Sequence, residues 1–197
     1  MWNEQIIMML LEGIKDTLYM TLTSTLIGYV IGLPMGILLT VTDKDGIHPN
    51  AAVYKVLDVI ANLIRSVPFL ILLIVLIPFT RFLIGRSYGP TATIVPLVIA
   101  AAPYIARMVE SSLKEVDAGA IEAARSMGAS NFTIVTKVML VEARTSLIVG
   151  ATISLGTILG YSAMAGTVGG GGLGDIAIRY GYTRWQTDIM IVTVILL

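Results

Sequence analysis

An all-α, polytopic membrane protein is the fold class this sequence predicts, and three observations predict it. Apolar residues make up 56% of the 197 residues and charged residues only 13%, against about a quarter in soluble domains. The charges are also clustered, leaving runs without any Asp, Glu, Lys or Arg at residues 17–42, 66–80, 87–106, 145–174 and 189–197. Small residues repeat at every fourth position within the longest runs, which is a helical spacing. About 20 apolar residues cross the roughly 30 Å of hydrocarbon as a helix, which satisfies its own backbone there.

The elements follow in chain order. Ahead of the first run, Glu4, Glu12 and Asp16 outweigh Lys15 for a net charge of −2, which predicts an external N-terminus and excludes the positive start of a signal peptide. The run 17–42 is a full span. Its Ser24, Gly28, Gly32 and Gly36 share one face, a predicted helix-packing surface where a neighbouring backbone comes close. The run 66–80 reaches full length if its helix starts near Ala61 and takes in Arg65, whose long side chain snorkels to the surface. Residues 87–106 and 145–174 are spans outright, the latter with Ser146, Gly150 and Ser154 on one row and Gly156 and Gly160 on another. The run 189–197 begins as a span and stops mid-pattern, so the expectation is five spans with the fifth truncated. Pro34, Pro68, Pro78, Pro96 and Pro103 interrupt the first three spans and permit bends. With the N-terminus outside, eight Lys and Arg fall in cytoplasmic segments (44, 55, 65, 107, 114, 125, 137, 144) and five outside (15, 81, 86, 179, 184), a modest inside bias.

The composition excludes several functions. Thirteen basic residues balance thirteen acidic ones, leaving no surplus for nucleic acid. Zero Cys removes thiolate metal sites and Cys nucleophiles, and His48, the one histidine, sits in a turn beside Pro49 and Asn50. No paired carboxylates lie within a span, which argues against a proton-driven carrier. Glu110 and Lys114, four apart, read as a surface pair, and Asp58 and Arg65 as two charges on one face at the inner boundary. Ten methionines say nothing about a cargo.

The cytoplasmic segment between the third and fourth spans, about residues 109–142, carries the most specific information. Asp117 predicts an N-cap for a short Ala-rich helix through Met127, Gly128 a left-handed stop, and Ser130 the cap of a second helix through Ile134, Val135 and Val138. Glu122, Ala123, Ala124, then Gly128, Val138 and Leu140 resemble the EAA loop of permease subunits in binding-protein-dependent ABC importers. Val138 stands where that motif has Ile, and Val141 where it usually has Pro.

A second block resembles the methionine-type importer permeases: Ser162 to Val168, glycines 169–172, then Leu173, Gly174, Asp175 and onward to Gly181. Arg65, Ser66, Val67, Pro68 and Phe69 resemble the same group, as do residues 77–81.

The resemblance implies the type I ABC importer permease arrangement and one transmembrane domain over 1–197. It further implies a homodimer in a bacterial plasma (inner) membrane, two cytoplasmic ABC ATPase subunits and an extracytoplasmic binding protein. Glu122, Ala123, Ala124 and Gly128 become ATPase-coupling residues. Near the outer end of the fourth span Tyr161 and Met164 lie on one face, where similar permeases close their gate, with Met164 as plug and Tyr161 as lining. The implied cargo is D- or L-methionine, with another amino acid, a dipeptide or a small metabolite left open and a stand-alone channel or carrier further off.

The glycine block itself must be a non-helical turn. Its formal G-x-G-x-x-G at Gly169, Gly171 and Gly174 lacks the preceding strand and later acid of a dinucleotide site. No G-x-x-x-x-G-K-[ST] occurs either, so the chain is not itself an ATPase. It holds no cofactor, and ATP and Mg belong on the partner.

Overall fold

The computed structural model describes residues 4–197, and its regular elements among these residues are helical. The helices are α1 (Glu4–Thr42), α2 (Ala51–Ser66), α3 (Phe69–Val75), α4 (Ile77–Ile84), α5 (Pro90–Lys114), α6 (Ala118–Ser126), α7 (Asn131–Thr133), α8 (Leu140–Glu142), α9 (Arg144–Ala165), α10 (Gly172–Ile176) and α11 (Thr187–Leu196). Wider π turns join α7 to α8 over Ile134–Met139 and follow α10 over Ala177–Tyr182.

Among the described residues three helices are long and apolar enough to cross a membrane: Glu4–Thr42, Pro90–Lys114 and the α9 helix extended to Val168. Helix α1 is longer than its charge-free run, because Glu and Lys are good helix formers and do not stop a helix. Its 39 residues span about 58 Å at 1.5 Å per residue, far beyond the hydrocarbon thickness.

The second span departs from expectation. One helix from Ala61 to Thr80 is replaced by three pieces, and α2 with α3 qualifies only as one broken span. Pro68 is the reason: it caps α3 at φ −55°, ψ 134°, where it has no N–H to continue α2 and forces Val67 out of helical geometry. Pro78 likewise sits in the first turn of α4, where its missing N–H costs nothing. Pro34 in α1 and Pro96 and Pro103 in α5 leave their helices continuous.

The chain divides into two compact units. The first comprises residues 1–27, 67–100 and 155–197. Its core gathers Leu10, Leu173, Ile176 and Ile189, with Ile6, Met9, Ile14, Tyr180 and Val192 against them. Close backbone approach is its signature. A Cβ on Gly174 would overlap the Ala163 carbonyl, and one on Gly172 would meet Thr17 Oγ1 at 2.7 Å. Thr17 Oγ1 in turn accepts a bond from the Leu173 N–H at 2.9 Å. Gly169 and Gly171 take left-handed φ of +81° and +83° as the sequence reading of a turn requires, but Gly172 already begins α10.

The second unit comprises residues 28–66 and 101–154. Gly28, Gly32 and Gly36 of α1 face α5, where added Cβ atoms would stand 3.0 Å from Ala101 Cβ, 2.6 Å from the Ala102 carbonyl and 2.5 Å from the Ala106 carbonyl. Ser146 of α9 donates to Ser112 of α5 at 3.0 Å. Within α1, the hydroxyls of Thr17, Thr25, Thr40 and Thr42 each donate to the carbonyl four residues earlier, at 2.7–3.0 Å.

Candidate functional site

The site grows from the cap residues of the 109–142 segment. Asp117 accepts a bond from the Ala120 N–H at 3.2 Å and starts α6. Gly128 ends it with φ +81°, letting the Ala129 N–H reach back to the Ala124 carbonyl at 3.1 Å. Ser130 then caps α7, accepting from the Thr133 N–H at 3.3 Å. The product is a helix, a tight turn and a second helical segment that widens into the π turn.

On this corner Glu122, Ala123 and Gly128 are exposed, while Ala124 is buried. Met127 and Phe132 flank the turn at 81% and 78% exposure. Two large apolar side chains held out from a polar segment are a feature the sequence reading passed over, although their place beside the glycine stop was there to be noticed. Arg125 leaves α6 from the other side and donates to the Ile47 carbonyl at 2.7 Å. A cleft of about 760 Å³ runs along this side, lined by Asp43, Ile47, Lys114, Ile121, Glu122 and Arg125.

The cleft leads into a charge cluster that changes two readings. Glu110 and Lys114 are not a surface pair, since the Glu110 side chain is only 7% exposed. Its carboxylate accepts from Lys114 Nζ at 2.9 Å and from Arg107 Nη1 at 2.6 Å. Asp58, read as a boundary charge on the face of Arg65, pairs with Arg107, and Asn62 Oδ1 accepts from the same guanidinium at 2.9 Å. Lys114 also reaches Asp43 at 2.6 Å. The hydrogen bond from Lys114 holds the Asp43 carboxyl below its ordinary value of 3.8. Burial explains the clustering: a carboxylate withdrawn from water must find cations and donors.

The remaining predicted residues lie in the first unit. Tyr161 of α9 stacks on Phe69 of α3, ring centroids 4.5 Å apart and planes 3° from parallel. Met164, one turn on, is half-exposed and makes no part of that stack. The structure therefore places Glu122, Ala123, Ala124 and Gly128 on one corner, the glycine ladder of α1 against α5 and the tyrosine against Phe69.

Comparison with known proteins agrees with this geometry. The model of the binding-protein-dependent transport system inner membrane component family matches residues 9–197. The probable D-methionine transport system permease protein MetI of Vibrio cholerae serotype O1 is 48% identical over 189 residues, covering 96% of this chain and 84% of that protein. The D-methionine transport system permease protein MetI of Escherichia coli K12 is 51% identical over 164 residues, covering 83% and 76%. A solved structure of the MetNI methionine ABC transporter in an inward facing conformation superimposes with a TM-score of 0.97 at 49% identity, over 99% of this chain and 90% of that one. An amino acid ABC transporter at 22% identity and TM-score 0.70 shares the fold. The chain belongs to the family of binding-protein-dependent transport system inner membrane components.

Proposed function

We propose that this chain is the membrane-spanning, translocation-pathway subunit of an ATP-driven importer for D- or L-methionine. The observation that carries it is the joint one: a capped α6 corner presenting Glu122 and Ala123 to solvent, in a chain about half identical to permeases named for D-methionine. The chain works as one transmembrane domain and pairs with a second copy. Its N-terminus lies outside and its α6 corner in the cytoplasm.

Chemically the subunit is passive. ATP and Mg are handled by two cytoplasmic ATPase subunits, whose closure draws the two α6 corners together. Glu122, Ala123, Ala124 and Gly128 form the docking helix and its stop, and exposed Met127 and Phe132 supply apolar anchors beside it. Alternating access follows when that movement reshapes the spans, and a binding protein delivers cargo to the outward state. At the outer end of α9, Met164 plugs the route and Tyr161, held by Phe69, forms its wall.

Glu122→Lys tests the coupling assignment. Glu122 is exposed, so the fold is expected to lose no more than about 0.5 kcal/mol. Recovery of the ATPase with the tagged permease from mild detergent, and methionine uptake by vesicles, are both expected to fall about tenfold or more. Unchanged uptake would move the reading to a stand-alone channel or carrier.

A further inference from the structure

Helices α2 and α6 are both thinly packed. Among the described residues Ala61 alone is buried in α2, and Ala124 alone in α6. An element with so little buried apolar surface is positioned by its polar ties. Those ties form one unbroken series. From α6, Arg125 holds the Ile47 carbonyl at 2.7 Å, in the turn that follows α1 and carries Asp43. Asp43 holds Lys114, Lys114 holds Glu110, and Glu110 holds Arg107, at 2.6, 2.9 and 2.6 Å. Arg107 then grips α2 through Asp58 and Asn62.

Resting on the importer reading above, we infer that this series positions α2 in response to α6, with Asp43, Lys114, Glu110, Arg107 and Asp58 as positioning residues for the transport cycle. Three features favour transmission over simple fastening. Lys114, Glu110 and Arg107 share the continuous helix α5, so displacement at one end is passed along a rigid bar. Arg107 is a planar fork with one nitrogen on Glu110 and the other on Asp58, so it fixes direction as well as distance. Asp43 and Lys114 also line the cleft beside Glu122, so the series starts at the surface where the ATPase is proposed to dock.

A series of links has a signature that independent contacts lack: breaking it twice does no more than breaking it once. Asp43→Asn and Asp58→Asn cut opposite ends and share no contact. In vesicles holding the permease, its ATPase subunits and binding protein, each variant is expected to lower radiolabelled methionine taken up per ATP hydrolysed about five-fold. The double variant is expected to fall by the same five-fold. A double variant down about 25-fold, or single variants that couple as wild type does, would overturn the inference.

Should Asp58→Asn not assemble, Asn62→Ala removes a contact at the same end and completes the cycle. Wild-type vesicles that fail to take up methionine would count against the cargo alone. The same cycle is then read as stimulation of ATP hydrolysis by the binding protein, and equal loss in single and double variants remains the expected result.

Discussion

The glycine block of the first unit and the charge cluster of the second solve the same problem in opposite ways. Around residues 163–175 the chain dispenses with side chains so that backbones touch: Gly174 sits where any Cβ would overlap Ala163, and Thr17 Oγ1 takes the Leu173 N–H. Around residues 107–114 it brings long charged side chains inward and satisfies each with the next. The first arrangement has no slack, because backbone atoms have nowhere to go. The second joins segments through long charged side chains that must move with their partners, because a carboxylate withdrawn from water cannot give up its cation. A transporter needs both properties, and here each has its own region.

The sharpest way to break the comparison is Gly174→Ala. The added methyl meets backbone, so about 3 kcal/mol of destabilisation is expected, read as lost recovery of folded protein in detergent. Gly128 provides the contrast. It is left-handed, at φ +81°, as Gly174 is not, and nothing lies within 4 Å of its would-be Cβ, so Gly128→Ala is expected to cost only about 1 kcal/mol. Equal costs would mean that the backbone contact at Gly174 is relieved by a small shift and weighs no more than the left-handed turn at Gly128.

Next in size is Arg107→Leu. It strands Glu110 and Asp58, and the 17% exposure of the arginine side chain and 31% of Asp58 temper the full cost of a broken buried pair to about 2 kcal/mol. Thermal denaturation measures it, and a cost below about 0.5 kcal/mol would reduce the cluster to a surface feature.

Met164→Ala is smaller still. It opens the proposed plug, and ATP hydrolysis without binding protein is expected to rise about three-fold, roughly 0.7 kcal/mol. Hydrolysis at the wild-type level would leave Met164 an ordinary packing residue. The smallest effect belongs to Asp43. Its carboxyl titrates below 3.8 in the folded chain, so its contribution is complete above that pH and is lost as pH falls beneath it. The stability difference between wild type and Asp43→Asn is expected to shrink over the same acid interval, and a gap that widens there would reverse the sign.

Local features were legible in the sequence, and distant ones were not. Asp117, Gly128 and Ser130 bound their helices through chemistry that acts within four residues, which a linear reading captures. The Gly28, Gly32 and Gly36 face follows from helical spacing alone. The break at Pro68 was visible as a proline, but whether a proline bends or ends a helix depends on what else can take the freed carbonyls. Asp58 meets Arg107 across 49 positions, a pairing that spacing along the chain does not reveal. The four-residue spacing of Glu110 and Lys114 was legible, whereas the burial of Glu110 depends on tertiary packing that spacing does not show.

The threonines of α1 have a consequence for how the chain enters a membrane. Four of its hydroxyls are each answered by a carbonyl within the same helix, so their dipoles need no water and no neighbour. A lone hydroxyl delivered to hydrocarbon costs several kcal/mol, and four would tax insertion heavily. Bound to their own helix, these four hydroxyls let α1 enter lipid without leaving them unanswered, whereas Thr21 turns to Ser162 of α9. Hydropathy counted residue by residue understates how readily this segment leaves water.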